Sequence, residues 1–325
     1  MKVCVYGAGA VGGHLAGRLA KGGADVSLVA RGPHLAAIQA NGLRVETKDG
    51  LIETRPLASD DPAKLGAQEI VFVTVKAPAL PQVAAGIGHL LRDDTPVVFA
   101  MNGIPWWYFH AHGGAFDGRQ LQRIDPDAAI WNTVGPMRAV GAVAYTACTV
   151  TAPGVIHAEN PRNRLIIGRP DGSDDPRLEA LAAVLRAGGI ETEVTARIRD
   201  AIWTKLLMNL TGGSLGILTA SPMKHALSNP AALAAATTMT KEGAAIARAL
   251  GCNPDDPEAG LGRLTQSAHK QSILQDLELG RSMEVDALLR VPLELARMVD
   301  VATPMLDLVA GLAIQRARAA RLYEG

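Results

Sequence analysis

The stretch that most constrains this chain is KVCVYGAGAVGG, residues 2–13. KVCVYG reads as a buried strand, and it runs directly into Gly7, Gly9 and Gly12 at G-x-G-x-x-G spacing. Each glycine has a physical reason to be there. Gly7 permits the tight turn out of the strand, and Gly9 lets a pyrophosphate approach the backbone. Gly12 allows the next helix to pack closely, so that an anion sits on the helix N-terminus. The bare pattern is common; its place between a strand and a helix makes it specific. The segment Gly7, Ala8, Gly9, Ala10, Val11 and Gly12 is therefore expected to bind a dinucleotide. The bland alternative is a glycine-rich turn that only allows packing.

Strands and helices then alternate along the first half of the chain. HLAGRLAKGG (14–23) reads as a helix closing at Gly22 or Gly23, DVSLVAR (25–31) as a strand, and PHLAAIQANG (33–42) as a helix. Residues 43–47 and 51–56 form a hairpin around Asp49-Gly50, and 69–76 and 95–102 are two more buried strands. Strand–helix alternation of this kind predicts a parallel sheet covered on both faces. DGSDDP (171–176) reads as a surface loop. From about residue 195 the texture changes to Ala- and Leu-rich segments of helical period, among them the long stretch from 272 onward. The expected architecture is an α/β Rossmann-type dinucleotide-binding domain over 1–195 and an all-α domain over 196–325, a division that suits 325 residues.

Charge and cysteine content narrow the function. With 32 basic and 32 acidic residues there is no electrostatic footprint for nucleic acid or a membrane surface. No uncharged stretch is long enough to span a bilayer, and the first residues lack signal-peptide architecture, so a cytoplasmic protein is expected. Cys4, Cys148 and Cys252 are too widely spaced for a disulfide framework or a metal cluster, and no metal is expected.

The strand ends suggest which dinucleotide is bound. NAD sites offer an Asp or Glu after the second strand; here LVARGPH supplies Arg31, which can pair with a 2′-phosphate. NADPH is the expected cofactor. Lys76 ends one later strand and Asn102 another, where ligands of open α/β sheets bind. Arg31 and Lys76 also admit a plainer reading as solvated strand-end charges.

The helical half raises a different question. WTKLLMNLTGG (203–213) carries Lys205 inside an apolar run, with Asn209 one turn later on the same face and Gly213 one turn further, leaving space there. A primary amine can hydrogen-bond a ketone oxygen and donate a proton as hydride reaches the carbon. Burial makes a lysine a better acid unless a carboxylate restores it, and Glu284 is a candidate carboxylate. Each residue has an ordinary alternative. Lys205 can snorkel, Asn209 can bond a backbone carbonyl, Ser272 can be an N-cap with Gln275 as its partner, and Glu284 can be an exposed helix residue.

The set of motifs is recognisable as a whole. GAGAVGG, VTVKA at 73–77, the Asn-Gly of MNGIP at 102–103, PGVIH at 153–157, W-x-K-L-x-x-N at 203–209, and S-x-L-Q-D followed by GRSMEVD resemble the ketopantoate reductases (2-dehydropantoate 2-reductases) over nearly the whole length. The resemblance implies a Rossmann domain with an all-helical C-terminal domain, and reduction of 2-dehydropantoate to pantoate by NADPH on the way to coenzyme A. By position it implies Lys205 as proton donor, with Asn209 and Ser272 holding substrate. It places Glu284 near both ligands and has Asn102 touch both. It assigns Gly7 to Gly12, Arg31 and Lys76 to NADPH, with Cys148 near the cofactor.

There are departures from the family pattern. Many members have a second asparagine where this chain has Gly213, and the Asn-Gly that commonly follows the E-[IV]-D motif is replaced by DALLRVP. Trp106 and Trp107 come soon after Asn102-Gly103; they either line a pocket for a bulkier substrate or pack a domain interface. Three other readings stand beside the first: a paralogue reducing a bulkier 2-oxo acid, a non-catalytic NADPH-sensing protein, and a relative of the β-hydroxyacid dehydrogenases. GRSMEVD favours the ketopantoate reductase side. Apolar faces in the helical domain offer a surface for a homodimer.

Overall fold

The first strand, β1 (Lys2–Tyr6), is flanked by parallel neighbours on both edges, β2 (Asp25–Val29) and β6 (Ile70–Val73). Val3, Cys4 and Val5 are fully enclosed, which explains a run with no polar alternation. The computed structural model describes residues 1–159 and 163–325. Two units make up the chain. The first comprises Met1–Met101 and Trp106–Ile198; the second comprises Arg199–Gly325 together with the short segment Asn102–Pro105.

In the first unit, α1 (Ala10–Lys21) follows β1 and α2 (Gly32–Asn41) follows β2. The hairpin is present as β3 (Leu43–Thr47) and β4 (Gly50–Thr54), and β5 (Leu57–Ser59) returns to pair with β2. After β6 come α3 (Leu80–Ile87), β7 (Val97–Phe99), α4 (Ala129–Thr133), β8 (Ala139–Tyr145), β9 (Cys148–Ala152), β10 (Val155–Ala158), β11 (Arg164–Gly168), α5 (Pro176–Ala187) and β12 (Glu191–Val194). The main sheet has the order β12-β11-β8-β7-β6-β1-β2-β5. It is parallel except for the antiparallel β8–β11 pair, so the sheet is mixed rather than wholly parallel. The hairpin does not join it: β4-β3-β10-β9 form a second, four-stranded sheet. That sheet packs on α1, where Gly13 and Gly17 leave no room for a Cβ against Ile156 and Val45.

Several local expectations change. The first helix begins at Ala10, not residue 14, so the end of the glycine loop is already the first helical turn. β6 stops at Val73 and β7 at Phe99, which leaves Lys76 and Asn102 in the loops beyond them. DGSDDP is not simply a surface loop. Asp175 is buried, caps α5 by accepting from the Arg177 N–H, and takes 3.1 and 2.5 Å hydrogen bonds from Arg169. The neighbouring arginines hold its carboxyl down at about 2 despite burial, which alone would raise it.

The second unit contains α6 from Arg199 on (the whole helix is Ile198–Thr219), α7 (Met223–Ala226), α8 (Pro230–Ala249), α9 (Pro257–Thr265), α10 (Ser272–Glu278), α11 (Val291–Met298) and α12 (Pro304–Ala319). Asn229 caps α8 by accepting from the N–H groups of Ala231 and Ala232, with Pro230 preset for the first turn. The stretch from 272 onward is not one helix; it breaks around residues 279–284 and 299–303. Among the described residues, no helix is long and apolar enough to cross a membrane.

Candidate active site

The glycine loop forms one wall of a cavity of about 1200 Å³ in the first unit. That exceeds the ~300–1000 Å³ common for small-ligand pockets and suits an extended nucleotide. Gly7 has φ +106°, a region that favours glycine, and a Cβ there would lie 2.7 Å from Val75. A Cβ on Gly12 would collide with the Gly7 carbonyl, whereas at Gly9 a Cβ would meet open space, leaving the backbone approachable. Thr74 fastens the turn by donating its hydroxyl to the Gly7 carbonyl at 2.5 Å. Helix α1 has Gly9 as its N-cap, with no side chain capping it and no acidic residue in its first turn. Its N–H groups and dipole are thus left for an anion, and a dinucleotide pyrophosphate fits this cradle.

Arg31 stands on the rim, its guanidinium donating to Gln82 Oε1 at 2.9 Å. Sequence spacing gave no hint that Asp60 and Asp61, just past β5, would line the same cavity. Asp61 is already engaged, accepting from the Ala63 N–H at 3.0 Å. His34 also lines the wall, and its Nδ1 accepts from the Gly154 N–H at 2.9 Å, which puts the ring proton of the neutral form on Nε2. No sequence motif marks these three residues, because their signal is which strands become neighbours.

The other cofactor candidates sit less directly. Val11 packs against the core, and Ala10 opens the helix. Val75 and Ala79 face the cavity, while Lys76 between them precedes a single 3₁₀ turn. Cys148 starts β9 and packs on the core; the wall is supplied further along that strand, by Val150 to Pro153. Burial pushes the Cys148 thiol up to about 12, so it stays protonated and unreactive.

In the second unit the chemistry gathers around Lys205. Its Nζ donates to Asn102 Oδ1 at 2.7 Å, a contact between residues 103 positions apart. Loss of hydration on burial pushes the ammonium down to about 8, and the Glu284 carboxylate opposes that shift. Glu284 is buried, which removes the reading of it as an exposed helix residue. Lys205 is a partly enclosed amine with an acidity near neutral pH, not a snorkelling surface lysine.

The segment that carries Glu284 is unusual. Residues Asp286–Arg290 form a π turn leading into α11, with the Val291 N–H bonded to the Asp286 carbonyl. Pro292 accounts for part of this: it has no N–H to offer the preceding turn, and its ring is poorly tolerated inside a regular helix. The Ala287 carbonyl accepts instead from the Ile104 N–H at 3.0 Å. Gly103 makes the approach possible, since a Cβ there would collide with that same carbonyl. DALLRVP, which departs from the family pattern, thus holds the Asn102–Pro105 segment beside Lys205.

The remaining candidates are placed differently. Asn209 is half-buried, one turn along α6 from Lys205. Ser272 is exposed at the first position of α10; the N-cap is Gln271, and the Gln275 amide bonds the Lys270 carbonyl, so the expected capping pair does not form. Gly213 does not leave open space, because Ile273 Cγ2 lies 3.1 Å from where its Cβ would be. Trp106 and Trp107 are almost wholly enclosed in the first unit. Trp106 meets Phe99 and Trp131 edge-on, at 5.3 and 5.9 Å between centroids. The Trp107 ring lies over Gly141, where a Cβ would come within 2.7 Å. These indoles fill a core and do not line a substrate pocket.

A nucleotide cradle on an α/β unit and an acidic lysine on a helical unit define a dinucleotide-dependent reductase. The family model described as "Ketopantoate reductase PanE/ApbA" matches residues 3–172, and that for its C-terminal part matches 197–317. The 2-dehydropantoate 2-reductase of Mesorhizobium japonicum is 42% identical, covering 97% of this chain and 99% of its own. The enzyme of the same name from Halobacterium salinarum is 29% identical over 96% and 97%. A crystal structure described as a putative ketopantoate reductase from Ralstonia solanacearum superposes with a TM-score of 0.91 at 38% identity, covering 99% of both chains. A D-mandelate dehydrogenase solved with NADH and anilino(oxo)acetate shares the fold, with a TM-score of 0.83 at 19% identity and coverage of 99% and 100%. The chain belongs to the ketopantoate reductase family. It is an NADP-dependent oxidoreductase acting on a CH–OH group.

Proposed function

We propose that this chain reduces 2-dehydropantoate to (R)-pantoate, with Lys205 as the proton donor. The observation that carries the reading is the Lys205–Asn102 hydrogen bond at 2.7 Å, made by an amine whose acidity is set near 8. Bound NADPH supplies the hydride. As the ketone oxygen gains charge, Nζ of Lys205 stabilises it and gives up its proton, leaving a neutral amine that solvent reprotonates. Asn102 Oδ1 fixes the direction of the amine, and Glu284 keeps it charged until the proton is needed. Asn209 contacts the substrate, and Ser272 holds its carboxylate end. Gly7 to Gly12, Arg31 and Lys76 hold NADPH, and Cys148 belongs to the strand behind it.

The test is oxidation of NADPH with 2-dehydropantoate beside a panel of bulkier 2-oxo acids. Efficient turnover of 2-dehydropantoate is the expected result. Better turnover of a larger acid would move the substrate assignment and keep the chemistry. Tight NADPH binding without turnover of any would leave a sensor.

The same reading places the protein in the cytoplasm, in keeping with three free cysteines of which two are buried. It also makes the helical unit the contact surface of a homodimer, where Leu308 and Leu312, one turn apart on α12, and Leu233 on α8 are exposed. A single-chain mass in sedimentation at micromolar concentration would dismiss the dimer.

A further inference from the structure

Just past α12, the residues from Ala320 onward fold back on the segment that carries Glu284. Helix α12 ends in a two-bond cap: the Leu322 N–H reaches the Ala317 carbonyl at 3.1 Å and the Arg321 N–H reaches the Arg318 carbonyl at 2.8 Å. The residue that turns the chain is Arg321, at φ +58°. Glycine is the usual choice there, because a side chain in the left-handed region crowds the backbone. A left-handed arginine persists only where contacts beyond it hold the turn.

Those contacts converge on one place. The Leu322 carbonyl accepts from the Met283 N–H at 3.4 Å, next to Glu284. The Tyr323 hydroxyl donates to Asp286 Oδ1 at 2.5 Å and accepts from Arg290 Nη1 at 3.0 Å. Asp286 and Arg290 are the first and last residues of the π turn, so a single phenol ties both of its ends. Arg318 lies 5.9 Å from the centre of the Tyr323 ring. Burial and the adjoining Asp286 carboxylate push the phenol upward, which keeps it a donor. A π turn is a rare departure from the α-helix, found mostly as a single turn and often at functional sites, and here the phenol bonds both of its ends. Without those bonds the segment is free to rewind, moving the Ala287 carbonyl away from Ile104 and Glu284 away from Lys205.

We propose that Tyr323 is a positioning residue for the reduction: by tying Asp286 to Arg290 it locks the π turn, which holds the Glu284 carboxylate and the Asn102 amide against Lys205. The proposal rests on Lys205 being the proton donor. Tyr323 bonds Asp286 and Arg290 and acts through the turn. The charged groups facing the phenol are Asp286, Arg290 and Arg318, and Glu284 is the carboxylate acting on Lys205.

The test is Tyr323→Phe, which removes one hydroxyl and keeps the ring. Turnover should fall about 3- to 10-fold, the scale of one hydrogen bond, with NADPH affinity unchanged. The titration of Lys205, followed by NMR in protein carrying ¹³C-labelled lysine, should move to lower pH, because a displaced Glu284 supports the ammonium less. The alkaline limb of turnover should move with it. Unchanged turnover and an unmoved Lys205 titration in Tyr323→Phe would overturn the proposal. So would a fall in turnover matched by an equal loss of NADPH affinity, which is general damage. If Lys205→Ala retains turnover, the underlying reading fails; if Lys205→Ala is inactive and Tyr323→Phe is normal, only the positioning role fails.

Discussion

Lys205→Ala is expected to lower turnover by about 10²- to 10⁴-fold, the range a positioned general acid contributes, while NADPH affinity stays within about twofold of the parent. The two quantities separate because the amine lies in the helical unit with Asn102 and Glu284, whereas the nucleotide cavity is built from the other unit. Stopped-flow single turnover with binding followed by NADPH fluorescence reads both. The pH dependence carries the same signature with a fixed sign. Reduction needs the protonated amine, so its rate is flat below pH 8 and falls as pH rises through about 8, where Lys205 loses its proton. Oxidation of the product alcohol needs the neutral amine and should rise through the same pH. A reduction rate that keeps climbing above that point, or a Lys205→Ala protein with parental turnover, would remove the lysine from the chemistry.

Arg31→Ala is expected to weaken NADPH binding by about 10- to 100-fold, the worth of a charge-assisted hydrogen-bond pair, and to leave NADH binding nearly as it was. The reason is the balance of charge on the rim. Arg31 is held toward the cavity by Gln82, and Asp60 and Asp61 line the same wall. Removing the cation leaves the Asp60 and Asp61 carboxylates on that wall, a balance of charge that disfavours a 2′-phosphate. The effect should shrink as salt rises, because the rim is exposed and its charges are screened. Arg31→Lys should recover only part of the loss, since an ammonium cannot form the two-pronged contact of a guanidinium. Equal losses for NADPH and NADH would mean that Arg31 supports the cavity wall without selecting the phosphate.

The extent to which the site was legible differs from residue to residue. Gly7 and Gly12 announced their role because turn geometry and close helix packing each exclude a side chain, and that exclusion is local. Lys205 was legible as an anomaly, a charge in an apolar run that needs a partner. The place of Arg31 on the cavity wall was legible from the strand end it occupies. Ser272 and Gln275 misled, because a serine with a glutamine three residues later fits a capping box, yet the chain enters α10 through Gln271. Gly213 misled in the same way: a missing side chain looks like space until the neighbouring helix supplies Ile273. Trp106 and Trp107 offered no local clue to which side they face; Gly141, far along the chain, is what admits the Trp107 ring.

By itself the sequence determined what short-range physics governs. It marked the strand–glycine–helix unit, the two-part architecture of an α/β half and a helical half, the preference for a phosphorylated dinucleotide and a lysine out of place in an apolar helix. Periodicity, turn stereochemistry and the cost of burying a charge act over a few residues and leave a readable pattern. Only the tertiary structure decided the rest. It put Asn102–Pro105 in the helical unit, brought Asn102 to Lys205, set Glu284 at the mouth of a π turn, and tied that turn with Tyr323. It also placed Asp60 and Asp61 on the wall shared with Arg31 and sent the hairpin to a second sheet. Such contacts join residues tens to more than a hundred positions apart. Their energies depend on which elements become neighbours, and no local pattern records that.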